Sequence, residues 1–169
     1  MAWSPRDSIL PPEWFRAGSL LETGRALRER MKRMVPTLFW QGDGGQEFAA
    51  VAHAEGGLPS ALDAALTGLR AEHGPPAWFG VLLDAYGRIS TVRSEEHIQP
   101  EELADRFAAG DGAVVEQLIL LIGTESRVTA WRQVYRWTPG DGWEWEGPQY
   151  MLEPVLGGGL MEVVQKHAA

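Results

Sequence analysis

The chain has 169 residues, long enough for one well-filled domain. Its apolar share of 44% and charged share of 22% are those of an ordinary globular protein. With no cysteine and a formal charge of −8, disulfides and thiolate metal sites are excluded, and broad phosphate-driven affinity for nucleic acid is disfavoured.

The first fifteen residues, MAWSPRDSILPPEWF, have neither a basic leader nor a continuous apolar core, so a signal peptide is not expected. Residues 1–18 read as an irregular N-terminal arm. At Ser19 the pattern changes. SLLE has the form of a capping box, in which Ser19 and Glu22 each satisfy a free amide at a helix start. The spacing predicts a helix from Ser19 to about Met34, since Pro36 forces its predecessor out of helical geometry. Leu20, Gly24, Leu27, Met31 and Met34 share one arc of that helix, and Arg25, Arg28, Lys32 and Arg33 lie opposite. With Arg30 and the single acid Glu29, positions 25–33 carry +4, leaving −12 for the rest of the chain.

TLFWQ, a GDGG loop and QEFAAVAHA read as a β-hairpin. A second helix with Leu58, Leu62, Ala65, Leu66 and Leu69 on one side follows, closed by Gly74-Pro75-Pro76. AWFGVLL, DAYG and RISTV have the composition of a second hairpin turning at Asp84–Gly87. Pro100 opens a short third helix that ends at Gly110. The unbroken run Leu118–Ile122 in AVVEQLILLIG predicts a central strand covered on both faces.

WRQVYRWTPGDGWEWE, residues 131–146, is a hairpin whose pattern selects its own register. Pairing Trp137 with Trp143, Arg136 with Glu144 and Tyr135 with Trp145 collects Trp131, Gln133, Tyr135, Trp137, Trp143 and Trp145 on one face. Arg132, Val134, Arg136, Glu144 and Glu146 fall on the other, and a one-residue slip would mix the two sets. The aromatic face is expected to be core. The alternative is a stacking platform for a ligand, with Trp131, Tyr135 and Trp145 as its surfaces.

The elements assemble as an α+β domain over residues 19–150. It is a mostly antiparallel sheet of successive β-hairpins with helices packed on one face. Residues 151–169 form an apolar tail with a hinge at Gly157–Gly159, and Leu156, Leu160, Met161 and Val163 suit it to a sheet edge or a groove on a neighbouring chain.

Catalytic motifs are sparse. His53 with Glu55, and Glu95 with His97, each offer two metal ligands without a third at diagnostic spacing. GDGGQE lacks the GK[ST] ending of a phosphate loop, and Ser60 in LPSAL fits a helix cap, not a nucleophile elbow. No cofactor or metal is therefore expected, and no apolar run approaches the ~18 residues that span a bilayer. The composition favours a cytoplasmic, non-catalytic interaction protein, of the immunity, chaperone or small assembly-subunit kind. It would dock on another protein, or on a second copy, through Arg25, Arg28, Lys32 and Arg33 on the basic helix or through Leu156, Leu160, Met161 and Val163 in the tail. The alternative is a small enzyme or ligand-binding domain on the aromatic sheet face.

Overall fold

In the computed structural model, residues 13–32, 34–42, 44–45, 47–51, 57–88, 100–125, 127–151 and 159–168 are described. They form α1 (Trp14–Arg30), β1 (Thr37–Gly42), β2 (Glu47–Val51), α2 (Leu58–His73), β3 (Pro76–Arg88), α3 (Pro100–Ala108), β4 (Val114–Thr124), β5 (Arg127–Thr138), β6 (Gly142–Trp145), β7 (Gln149–Met151) and α4 (Leu160–Ala168). The strands make one sheet in the order β2-β1-β3-β4-β5-β6, with every pairing antiparallel. β7 lies beyond β6 along the same side of β5, so the two short strands share one edge. The α+β class and the antiparallel sheet are as the sequence pattern predicts.

β4 is the centre of the sheet, and its run Leu118–Ile122 is buried throughout. Because successive side chains alternate, Ile119 and Leu121 point to one face and Leu118, Leu120 and Ile122 to the other. Each face has its own cover. α2 and α4 bring Leu62, Leu66, Val164 and Ala168 against Val81, Leu83, Ile119 and Leu121. α1 brings Ala17 and Leu21 against Leu82, Leu118, Leu120 and Trp131. Helices thus pack on both faces, a correction to the one-sided arrangement expected. The reason lies in β3 and β4, whose side chains are apolar on both sides and leave neither face fit for water.

Element boundaries also differ, and α1 ends at Arg30 and not near Met34. α1 begins at Trp14, five residues before the capping box at Ser19. The amide of Ala17 donates to the Glu13 carbonyl at 2.8 Å, and Ala17 is completely buried. Burial of Ala17 outweighs the local preference of Ser19 for a cap, and Ser19 sits exposed within the helix. Gly24 sets how closely α1 approaches the sheet: a Cβ there would lie 2.6 Å from Leu82 Cδ2 and 3.2 Å from Leu118 Cδ1.

The hairpin expected at Asp84–Gly87 does not form. β3 runs unbroken from Pro76 to Arg88 and pairs with β4 along Phe79–Arg88. Asp84 and Gly87 resemble turn residues but serve the tertiary structure. Asp84 is an ion-pair partner of α1, and a Cβ on Gly87 would collide with the Gln117 side chain. The residues taken as its return strand, from Ile89 onward, lie outside the described residues, as does most of the arm.

The end of the tail is a helix and not a strand. α4 lies on α2, where His167 Nε2 stands 2.6 Å from Asp63 Oδ1 and Lys166 Nζ stands 3.1 Å from it. Arg70 adds a donor to the His167 carbonyl at 2.7 Å. The hydrogen bonds from His167 and then Lys166 hold the Asp63 carboxyl below its ordinary range. Among the described residues, no helix is long and apolar enough to cross a membrane.

Candidate functional site

The aromatic hairpin has the predicted register: Tyr135 opposes Trp145, Arg136 opposes Glu144, and Trp137 opposes Trp143. Arg136 Nη2 reaches Glu144 Oε2 at 2.6 Å on the exposed side. On the other side the aromatic residues grade from core to surface. Trp131 and Tyr135 are buried, Trp143 and Trp145 are half-buried, and Trp137 at the tip is 52% exposed. Ring contacts cross the strands from Tyr135 to Trp145 (4.8 Å) and Trp143 (5.7 Å) and run along β6 between Trp143 and Trp145 (6.0 Å).

α1 closes over this surface with Arg25 and Arg28 of its basic side. Arg28 turns inward. Its Nε lies 2.9 Å from Asp84 Oδ2 and donates to the Tyr135 hydroxyl at 3.0 Å, while its Nη1 donates to the Met31 carbonyl at 2.9 Å. The Tyr135 hydroxyl in turn donates to Asp84 Oδ1 at 2.6 Å. The guanidinium carbon stands 5.0 Å from the Trp143 ring and 5.5 Å from the Tyr135 ring, within cation–π reach of both. Arg25 lies 5.5 Å from the Trp145 ring and is paired with Glu29 at 3.5 Å, and Glu29 accepts from the Trp145 indole at 2.8 Å.

The electrostatics of this cluster are those of a clamp. Burial, followed by the bond to Asp84, pushes the Tyr135 phenol far up, so it acts as a donor and not as a base. Burial raises the Asp84 carboxyl against the opposing pull of Tyr135 and Arg28. Glu116, the register neighbour of both Tyr86 and Tyr135, is raised by burial and then by the Asp84 charge. For Arg28, burial works against the charge, but Tyr135, Asp84 and Glu116 together prevail and the net shift is upward. Perturbed groups of this kind mark functional sites and structural ion networks alike. Here Arg28, Tyr135 and Asp84 already satisfy one another and bind helix to sheet.

A second feature lies at the other end of α1. Phe15, Arg16, Ser19 and Leu20 face Phe39 and Trp40 of β1, Glu47 of β2 and Trp78 of β3 across an open cleft of about 340 Å³. Its walls are mostly apolar. Arg16 stacks 4.6 Å over the Trp78 ring, and the Trp78 indole donates to Gln41 Oε1. The buried indole nitrogen of Trp40, which also lines the cleft, has no hydrogen-bond partner among the described residues. Beside the cleft, Trp14 and Phe15 form a ring pair at 4.2 Å and are 45% and 74% exposed.

The predicted site residues are therefore scattered. Arg25 and Arg28 serve the aromatic hairpin, Lys32 is exposed past the end of α1, and Arg33 lies outside the described residues. Leu160, Met161 and Val163 pack from α4 against the core, while Leu156, the hinge residues 157–158 and both histidine–glutamate pairs lie outside the described residues. Trp131 and Tyr135 are covered by α1, which removes them as an open stacking surface; Trp145 is half-buried and already bonded to Glu29. Sequence reasoning missed Asp84 and the Trp14–Phe15 pair. The signals were present: Asp84 continues the alternation of WFGVLLDAY, and Trp14-Phe15-Arg16 precedes a run of helical spacing. Compared with known proteins, the chain matches no family model, no curated protein and no solved structure.

Proposed function

We propose that this protein acts by docking on another protein, without chemistry of its own, through the N-terminal half of α1 and the cleft beside it. The observation that carries this reading is the Trp14–Phe15 pair, held in the open at the mouth of an aromatic-walled cleft. Exposing a large ring in water forgoes roughly 1.5–3 kcal/mol of burial. Contiguous exposed apolar surface of this kind marks interaction sites, and aromatic anchors with a neighbouring arginine dominate binding energy there. The fitting occupant is an apolar side chain of a protein partner, entering between Phe15, Leu20, Phe39 and Trp78, with Arg16 and Glu47 available for polar contacts at the rim.

The test is a comparison of three forms in affinity capture from the source cell: wild type, Phe15→Asp and Arg136→Ala. A stoichiometric partner retained by wild type and Arg136→Ala but lost with Phe15→Asp is the expected result. A partner retained equally by all three forms would refute the assignment of the surface.

A further inference from the structure

Arg16 is a cation in an unfavourable place for its helix. It lies in the first turn of α1, which holds no acidic residue, and there the positive end of the helix dipole opposes it. The carboxylate of Glu13, just before the helix, turns instead toward the Thr124 hydroxyl. The Arg16 guanidinium lies 4.6 Å over the Trp78 ring. Among the described residues no oxygen accepts a hydrogen bond from it, so the planar fork has one face on the ring and its N–H donors unmet. A guanidinium stacked on an aromatic ring is preorganised for a carboxylate, which it takes in two parallel hydrogen bonds. Ser19, one turn further along α1 on the same face, brings a hydroxyl to the same cleft. Across the cleft, on β2, the exposed carboxylate of Glu47 is also without an ion pair among the described residues. Two unpaired charges of opposite sign thus flank one apolar cleft and do not neutralise each other.

We infer that the cleft takes the carboxy-terminal residue of the partner protein, with its carboxylate on Arg16 and its apolar side chain between Leu20, Phe39 and Trp78. The inference rests on the docking reading above and names what the cleft recognises.

Size, geometry and charge favour a chain end over an acidic side chain inside a segment. At about 340 Å³ the cleft is at the small end of the range for ligand sites, with room for one residue and not for a helix or strand passing through. A terminal residue carries its carboxylate and its side chain on one Cα. That matches a guanidinium stacked on Trp78, which is itself a wall of the apolar cleft. The chain carries −8 and Glu47 stands at the cleft, so a segment rich in acids is repelled. A chain end supplies one negative charge whatever residues precede it. Glu47 then sets the direction of entry. It accepts from a backbone amide of the incoming segment, or from a lysine or arginine shortly before the end, and it repels an acid at the same place.

An array of immobilised short peptides tests this with the full-length chain. The last residue is varied over every amino acid and the preceding positions are mixed, and each peptide is made with a free carboxyl end and again as the carboxamide. Wild type is expected to be retained by free acids ending in leucine, isoleucine, valine or phenylalanine, and about 10- to 100-fold less by the matching amides. Arg16→Gln keeps a good helix former and removes the charge, so it should bind acids and amides equally weakly. Arg16→Lys, with the charge but not the fork, should fall between, and Arg136→Ala should match wild type. Circular dichroism is expected to be the same for all four forms. Equal retention of acids and amides by wild type, or a preference for acids that survives Arg16→Gln, would overturn the inference. Amides holding an internal acid beside an apolar residue and retained as well as the free acids would overturn it too, in favour of a side-chain carboxylate. If a Phe15-dependent partner is captured from the cell and its binding survives Arg16→Gln, docking stands and the chain-end reading falls. If no such partner is captured and no free acid is retained, both fall.

Discussion

Arg28 is the residue whose removal tests the clamp most directly. Substitution by Met keeps most of the aliphatic stem that packs on Tyr135 and Trp143 and deletes the charge. At 2.9 Å and an effective dielectric of about 20, the attraction between Arg28 and Asp84 is roughly 6 kcal/mol before desolvation. Desolvation of the two groups offsets most of that gain, so the pair adds little over an apolar replacement of both. Breaking one side is different, because Asp84 then keeps its burial and loses its counter-ion. For fully buried pairs that costs ~3–5 kcal/mol. Here the side chains retain 14% and 18% of their exposure and Tyr135 still donates to Asp84, which lowers the expected cost of Arg28→Met to about 2–3 kcal/mol. Asp84→Asn, which leaves Arg28 bonded to the Met31 carbonyl and close to water, should cost about 1–2 kcal/mol. The double variant should cost no more than Arg28→Met alone, a coupling of roughly 1–3 kcal/mol. Urea unfolding followed by tryptophan fluorescence gives all three values, with Trp143 beside Arg28 as a local reporter. A loss below about 0.5 kcal/mol for Arg28→Met, with additive single effects, would refute the clamp and leave the cluster open to a role in binding.

Two further predictions concern pH, with opposite signs. Asp63 has a lowered carboxyl pKa, so its ties to His167 and Lys166 stabilise the fold above the ordinary carboxylate range and are lost as pH falls through the lowered value. Amide exchange should therefore show α4 opening before the sheet on acidification, and Asp63→Asn should produce the same opening at neutral pH; equal protection of α4 and β4 in the variant would contradict this. Glu116 has a raised pKa, so the folded chain holds its proton longer than the unfolded chain, and stability declines as pH rises between the ordinary and the raised value. Glu116→Gln should flatten the fall in melting temperature as pH rises above the ordinary carboxylate range, and an unchanged slope would show that the carboxylate is well solvated.

The hairpin from Trp131 to Glu146 was legible to the residue. Its aromatic and charged positions alternate with the two-residue period of a strand, and any other register would have buried charge. The continuous apolar run in β4 announced a strand covered on both faces for the same local reason, and Leu62 and Leu66 showed the buried side of α2 through their helical spacing. What failed depended on partners distant in sequence. Ser19 has the chemistry of a cap, but the sheet rewards burial of Ala17 and extends the helix past it. Asp84 and Gly87 have the chemistry of a turn, but Arg28, Tyr135 and Gln117 make a strand of them. Arg28 lies on the basic side of a helical wheel, yet in the fold that side meets a carboxylate and two aromatic rings. Composition and periodicity thus determined the α+β class, the hairpin register and the central strand, since those follow from how adjacent residues alternate. Only the tertiary structure decided which charges are clamped and which rings stay in water, because both depend on surfaces joined across more than fifty residues of chain.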